Sequence, residues 1–129
     1  MGPRSPSTLA LVAVGGAVGA SARYAVGGLV GGLAGTLAAN VSGSLLLGFL
    51  AYEALRTDAL GARARTLLTT GVLSSYTTFS TFAVEAMRAE PLVGLGYVLG
   101  SYALGIGAAL VGRAGAAWVD PRGDREVTP

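Results

Sequence analysis

The sequence has no cysteine, no histidine and no lysine. Each absence removes a class of chemistry. Without cysteine and histidine there is no thiolate or imidazole set for zinc or haem, and no Cys–His nucleophile. A disulfide framework is excluded as well. All nine cations are arginines, and a net charge of +2 scattered along 129 residues makes no nucleic-acid footprint. Charge of either sign is scarce, at 12% of residues, about half of the usual roughly 25%. The acidic residues Glu53, Asp58, Glu85, Glu90, Asp120, Asp124 and Glu126 form no close pair inside an apolar run. A paired-carboxylate active site is therefore not expected.

What is present is apolar and small: 52% of residues are hydrophobic and 21 are glycine. Residues 5–22, 24–52, 66–84 and 91–112 carry no charge at all. Each run approaches or exceeds the roughly 20 residues that cross a bilayer. The pattern predicts a single all-α membrane domain over 1–129, with spans at about 7–28, 33–54, 66–88 and 92–113. The Gly27–Gly32 stretch is a glycine-rich connection, and 56–65 is the one clearly polar loop. Arg88-Ala89-Glu90-Pro91 makes a tight turn, with proline at a helix start. Residues 114–129 read as a polar, disordered tail. Arg4, Leu9–Val14 and Ala20-Ser21-Ala22 have the outline of a signal peptide, but a first span is the stronger reading. The pairs Gly15/Gly19, Gly31/Gly35 and Gly96/Gly100 have the spacing that lets helices approach closely in lipid.

Polar residues inside such runs need partners, so their positions carry information. Arg23, followed by Tyr24, reads as an interfacial anchor or as an anion attractor at a pore mouth. Asn40 stands amid apolar neighbours, with Ser44 one turn on. Its amide suits an interhelical hydrogen bond or a donor lining an ion path. The segment Ser74-Ser75-Tyr76-Thr77-Thr78-Phe79-Ser80-Thr81-Phe82, ending near Glu85, is the densest cluster. So many hydroxyls disfavour a regular helix, and a break within a membrane is tolerated only where it is buried or lines a polar cavity. Phe79 and Phe82 are three apart and share a face; ordinary packing is the stronger reading of the pair alone, and the positive ring edges would also suit an anion. Tyr97 and Ser101 share a face of the last span, and read as an interfacial tyrosine and a back-bonded serine. With no interior carboxylate expected in the first, second or fourth span, the residues favour an anion or a neutral solute.

These motifs resemble the fluoride-specific ion channels called Fluc or CrcB. The resemblance rests on Gly16–Tyr24, on Gly35-Thr36 with Asn40, Gly43 and Ser44, and on Thr77-Thr78-Phe79-Ser80-Thr81-Phe82 with Glu85, in the family's order. It implies four transmembrane helices with a broken third helix, an antiparallel dimer, and two fluoride pores at its interface. One structural sodium ion (Na+) is implied at the dimer centre, held here by the backbone carbonyls of Ser74 and Thr77. The implied pore residues are Asn40, Phe79, Phe82, Ser80, Thr81, Tyr97 and Ser101, with Arg23 at the vestibule. Two departures stand out. Ser74-Ser75 occupies a place where the family commonly has Gly-Gly, and Gly105 stands where a further hydroxyl belongs.

The resemblance implies passive export of toxic fluoride through the plasma (inner) membrane, with no enzymatic step. Arg4, Arg56, Arg63, Arg65, Arg113, Arg122 and Arg125 fall on one side of four spans, and Arg23 and Arg88 on the other. That bias predicts cytoplasmic N- and C-termini. The partner is then a second copy in the opposite orientation or an oppositely inserted homologue. Two rivals share the length. One is a small four-helix multidrug/proton exporter, which needs a carboxylate in the first span. The other is a non-transporting membrane assembly subunit.

Overall fold

The computed structural model describes residues 5–57 and 59–120, and these form helices only, with no strand among them. Helix α1 (Pro6–Val30) starts where Ser5 caps it, its hydroxyl accepting from the Thr8 N–H at 3.3 Å, with Pro6 in the first turn. A single residue, Gly31 at φ 76°, separates α1 from α2 (Gly32–Arg56). The left-handed backbone is what turns the chain so abruptly, and a β-carbon is disfavoured there. The third segment starts at Ala62, and the last described helix is α6 (Pro91–Val119), which Glu90 caps by accepting from the Leu92 and Val93 amides.

The third segment is irregular. It runs through α3 (Ala62–Arg65), wide π-helical turns over Thr66–Leu73 and a last turn α4 (Ser74–Tyr76). Thr77 is extended (φ −80°, ψ 158°), and α5 (Ser80–Arg88) resumes after Phe79. Hydroxyls explain the loosened ladder. Thr66 donates to Ala62 O at 2.9 Å, Thr69 to Arg65 O at 2.8 Å and Thr77 to Leu73 O at 3.0 Å, while Ser74 donates to Thr70 O. Each competes for a carbonyl that the helix would otherwise use.

Three helices, α1, α2 and α6, are long and apolar enough to cross a membrane. Their outward faces expose Leu9, Val18, Leu29, Leu99, Ile106 and Leu110, an apolar surface suited to lipid rather than water. Residues 114–119, expected in the tail, belong to α6, which continues to Val119. Ala114-Gly115-Ala116-Ala117-Trp118-Val119 carries no polar group to end it, and Ala116 is buried. The rest of that expected tail, 121–129, lies outside the described residues, as do Arg4, Arg122 and Arg125 of the topology argument.

Glycines set the helix contacts. A β-carbon on Gly71 would lie 2.9 Å from the Gly15 Cα, and one on Gly19 would overlap Val72 O. Gly35 packs on Gly27, whereas Gly96 and Gly100 meet nothing within 4 Å. The most extensive packing, α2 on α6, uses two glycines outside the expected pairs, Gly48 against Ala109 and Gly112 against Leu45.

One interior carboxylate was not expected in the second span. Glu53 in α2 is buried, and its Oε1 accepts the Leu60 N–H. Arg65 donates to Leu60 O at 3.2 Å and lies 4.0 Å from Glu53 Oε2. The two charged side chains thus hold the N–H and the C=O of Leu60. Glu53→Ala orphans the Leu60 N–H and leaves Arg65 without its carboxylate. It is expected to cost about 1–3 kcal/mol, read as a lower melting temperature in detergent, with Glu53→Gln losing less because it still accepts from Leu60.

Candidate functional site

A cavity of about 600 Å³ opens between α2, the π-helical turns, the 77–79 break, α5 and α6. Six residues singled out from the sequence lie on its wall: Asn40, Ser74, Thr77, Phe79, Phe82 and Ser101. No charged side chain lines it among the described residues. Arg23 lies on α1 and Tyr97 on the buried side of α6, both off the wall. Ser80 and Thr81 also stand off it, their hydroxyls 3.4 and 3.1 Å from Thr78 Oγ1.

The break is organised by Asn40. Its Nδ2 donates to Thr78 O at 2.9 Å and its Oδ1 accepts from Thr78 N at 2.8 Å, a reciprocal pair with the backbone of one residue. In a continuous helix the Thr78 N–H would bond Ser74 O. The Thr81 N–H, whose helical acceptor would be Thr77 O, is likewise diverted, to Thr78 Oγ1 at 3.2 Å. The two carbonyls that the resemblance singles out, Ser74 and Thr77, are therefore those whose helical amides are taken by side chains. Gly43 completes the arrangement, since a β-carbon there would overlap the Thr77 methyl.

Aromatic rings form the floor. Phe82 is buried, with its centroid 5.8 Å from Phe79, 5.2 Å from Tyr97 and 6.2 Å from Tyr102, the last edge-on at 89°. Phe79 remains 72% exposed, so one member of the pair is a fixed wall and the other faces the open cavity.

Tyr97 turns inward. It is buried, and its hydroxyl donates to Glu85 Oε2 at 2.9 Å while Thr36 donates to Oε1 at 3.0 Å. The spacing of Tyr97 and Ser101 did not reveal this, because the partner lies on another helix. The available signal was Glu85 itself, a lone carboxylate closing the hydroxyl run, with Thr36 next to Gly35. Ser101 is not back-bonded either: its buried Oγ has no hydrogen-bond partner.

Residues 10–113 match the family model described as CrcB-like protein, Camphor Resistance (CrcB). A Halobacterium salinarum protein named fluoride-specific ion channel FluC 2 is 57% identical over 117 residues, 90% of either chain. A Haloarcula marismortui protein, fluoride-specific ion channel FluC 1, is 48% identical over 82% of this chain and 83% of its own. One from Paracoccus denitrificans, fluoride-specific ion channel FluC, is 43% identical over 81% and 90%. With a match across nearly all four apolar segments and relatives this similar over most of their length, the chain belongs to the CrcB family.

Proposed function

We propose that the chain is a fluoride-specific channel that lets cytoplasmic fluoride leave the cell down its gradient, which lowers fluoride toxicity. The observation that carries this reading is the cavity wall, where the Phe79–Phe82 pair, hydroxyls and the Asn40 amide meet without a charged side chain. The kinship with proteins named for fluoride supports it. Fluoride is small and strongly hydrated. A path for it must replace water with donors and positive ring edges, yet hold the ion weakly enough for release. Conduction of this kind needs no catalytic step.

The working unit is an antiparallel dimer, of two copies or of this chain with an oppositely inserted homologue, in the plasma membrane. The apolar outward faces support a membrane setting. The third span is the interrupted run 62–88, and the termini are cytoplasmic, as the arginine bias favours. Arg23 draws anions to the vestibule, and Tyr97, Ser80 and Thr81 belong to the polar lining behind the phenylalanines. The freed carbonyls of Ser74 and Thr77 suit a hard monovalent cation, and a structural sodium ion would be held there, bracing the break without being transported. Serine at 74 leaves that carbonyl available, since its own hydroxyl turns back to Thr70 O and Gly71 O.

Fluoride efflux from liposomes containing the purified chain tests the reading, with chloride as control ion. Fluoride is expected to leave and chloride to stay, and Phe79→Ile and Phe82→Ile are expected to lose most of the flux. Silence of the chain alone, relieved by a co-expressed homologue, would identify a heterodimer. Silence in both settings would favour the assembly-subunit rival.

A further inference from the structure

Six hydroxyl-bearing serines and threonines line the cavity, and they are not equivalent. Four are occupied. Thr69, Ser74 and Thr77 turn back onto carbonyls of their own segment, and Thr78 bonds the neighbouring Ser80 and Thr81 hydroxyls. The remaining two, Ser44 on α2 and Ser101 on α6, make no hydrogen bond among the described residues. A buried donor without a partner, as at Ser101, is costly unless something comes to meet it.

Their positions are related through Gly105. Ser101 and Gly105 are four apart on α6, so they share a face and are separated by about 6 Å along the axis. A β-carbon on Gly105 would lie 3.6 Å from Ser44 Oγ, its nearest neighbour. The Ser44 hydroxyl therefore comes across from α2 to lie beside the place that a side chain one turn beyond Ser101 would occupy. The absent side chain at Gly105 is what leaves that place open.

We infer that Ser44 is an ion-contacting residue of the pathway, and that its hydroxyl and that of Ser101 act as two successive donors beside the Phe82 ring. An anion leaving the ring edges meets the Ser101 hydroxyl. About one helical turn further on it meets a second hydroxyl supplied by α2 instead of α6. Neither donor has to abandon a protein partner to bind the ion, which suits rapid exchange. This inference rests on the fluoride-channel reading.

The test moves the hydroxyl from one helix to the other. Fluoride efflux is compared for the unaltered chain, Ser44→Ala, Ser44→Thr, Ser44→Ala/Gly105→Ser and Ser44→Ala/Gly105→Ala. Ser44→Ala is expected to slow efflux about tenfold or more, the effect of one lost hydrogen bond to an ion. Ser44→Thr keeps the donor and the flux. Adding Gly105→Ser to Ser44→Ala is expected to restore most of it, whereas adding Gly105→Ala restores none. Ser44→Cys, close in volume but a weak donor, gives the same slowing if Ser44→Ala fails to fold. An unaltered rate in Ser44→Ala, or equal rescue by Gly105→Ala, overturns the role of Ser44 while the conducting parent leaves the channel reading standing. A parent that carries no fluoride, either alone or with a co-expressed homologue, overturns both.

Discussion

Gly112→Ala is expected to destabilise the protein by about 3 kcal/mol, at the upper end of what overpacking usually costs. The added β-carbon would overlap Leu45 O and lie 2.9 Å from Leu45 C and 3.0 Å from Phe49 N. All of these are backbone atoms, which cannot swing aside as a side-chain tip can. Gly48 makes the reciprocal contact three residues further along α2, where a β-carbon would overlap Ala109 O and lie 2.8 Å from Ala109 C. In lipid, helices gain little from hydrophobicity and associate through such close approach. Separating α2 from α6 would also widen the wall between Ser44 and Gly105, so conduction should fall with stability. Gly107→Ala and Gly115→Ala are the controls, because nothing lies within 4 Å of either site on the same helix. Thermal unfolding in detergent should show a large loss for Gly112→Ala and Gly48→Ala. For the controls it should show no loss, or the small gain that alanine brings to a helix. Equal behaviour of all four would mean that the α2–α6 contact does not limit stability.

The same pair of helices shows what the sequence could and could not reveal. Charge-free runs mark where α1, α2 and α6 lie, because bilayer thickness and the cost of burying charge are written in one dimension. The face each helix turns inward is not. Gly15 and Gly19 carry the expected spacing and do pack, yet Gly96 and Gly100 carry it as well and meet nothing, while Gly48 and Gly112 form the tightest crossing. Spacing within one helix cannot say which partner crosses it. Tyr97 follows the same logic. Its amphipathic ring fits an interface equally well, and only the fold brings Glu85, 12 residues away, to its hydroxyl. The end of α6 is illegible for a local reason, since Arg113 has the look of a boundary although the alanine-rich residues after it continue the helix. The hydroxyl run from Ser74 to Phe82 was legible as unusual because its composition alone conflicts with a lipid-facing helix. That Thr78 is the residue held by Asn40 follows only from the packing of α2 against the break.

Asn40→Ala is expected to abolish fluoride efflux, with a fall of about a hundredfold or more for the two hydrogen bonds lost at the Thr78 backbone. The amide is not simply one donor on a wall. It holds the Thr78 N–H and C=O together, and so keeps that N–H away from Ser74 O. With the side chain cut back, the N–H can turn to Ser74 O and extend α4 by a residue. The extended Thr77, the cavity wall and the Phe79 ring would then shift together. Asn40→Asp separates clamp from donor. A carboxylate still accepts from Thr78 N, but it sets a second oxygen against Thr78 O, where attraction becomes repulsion. It too should lose most efflux while leaving the bulk of the side chain in place. Amide exchange at Thr78 gives an independent readout: it should speed up in Asn40→Asp as the break loosens, and slow in Asn40→Ala if the helix closes. Full efflux in Asn40→Ala with unchanged Thr78 exchange would show that the break stands without Asn40. The geometry of Thr77 and Gly43 alone would then have to hold the chain extended at the centre of the site.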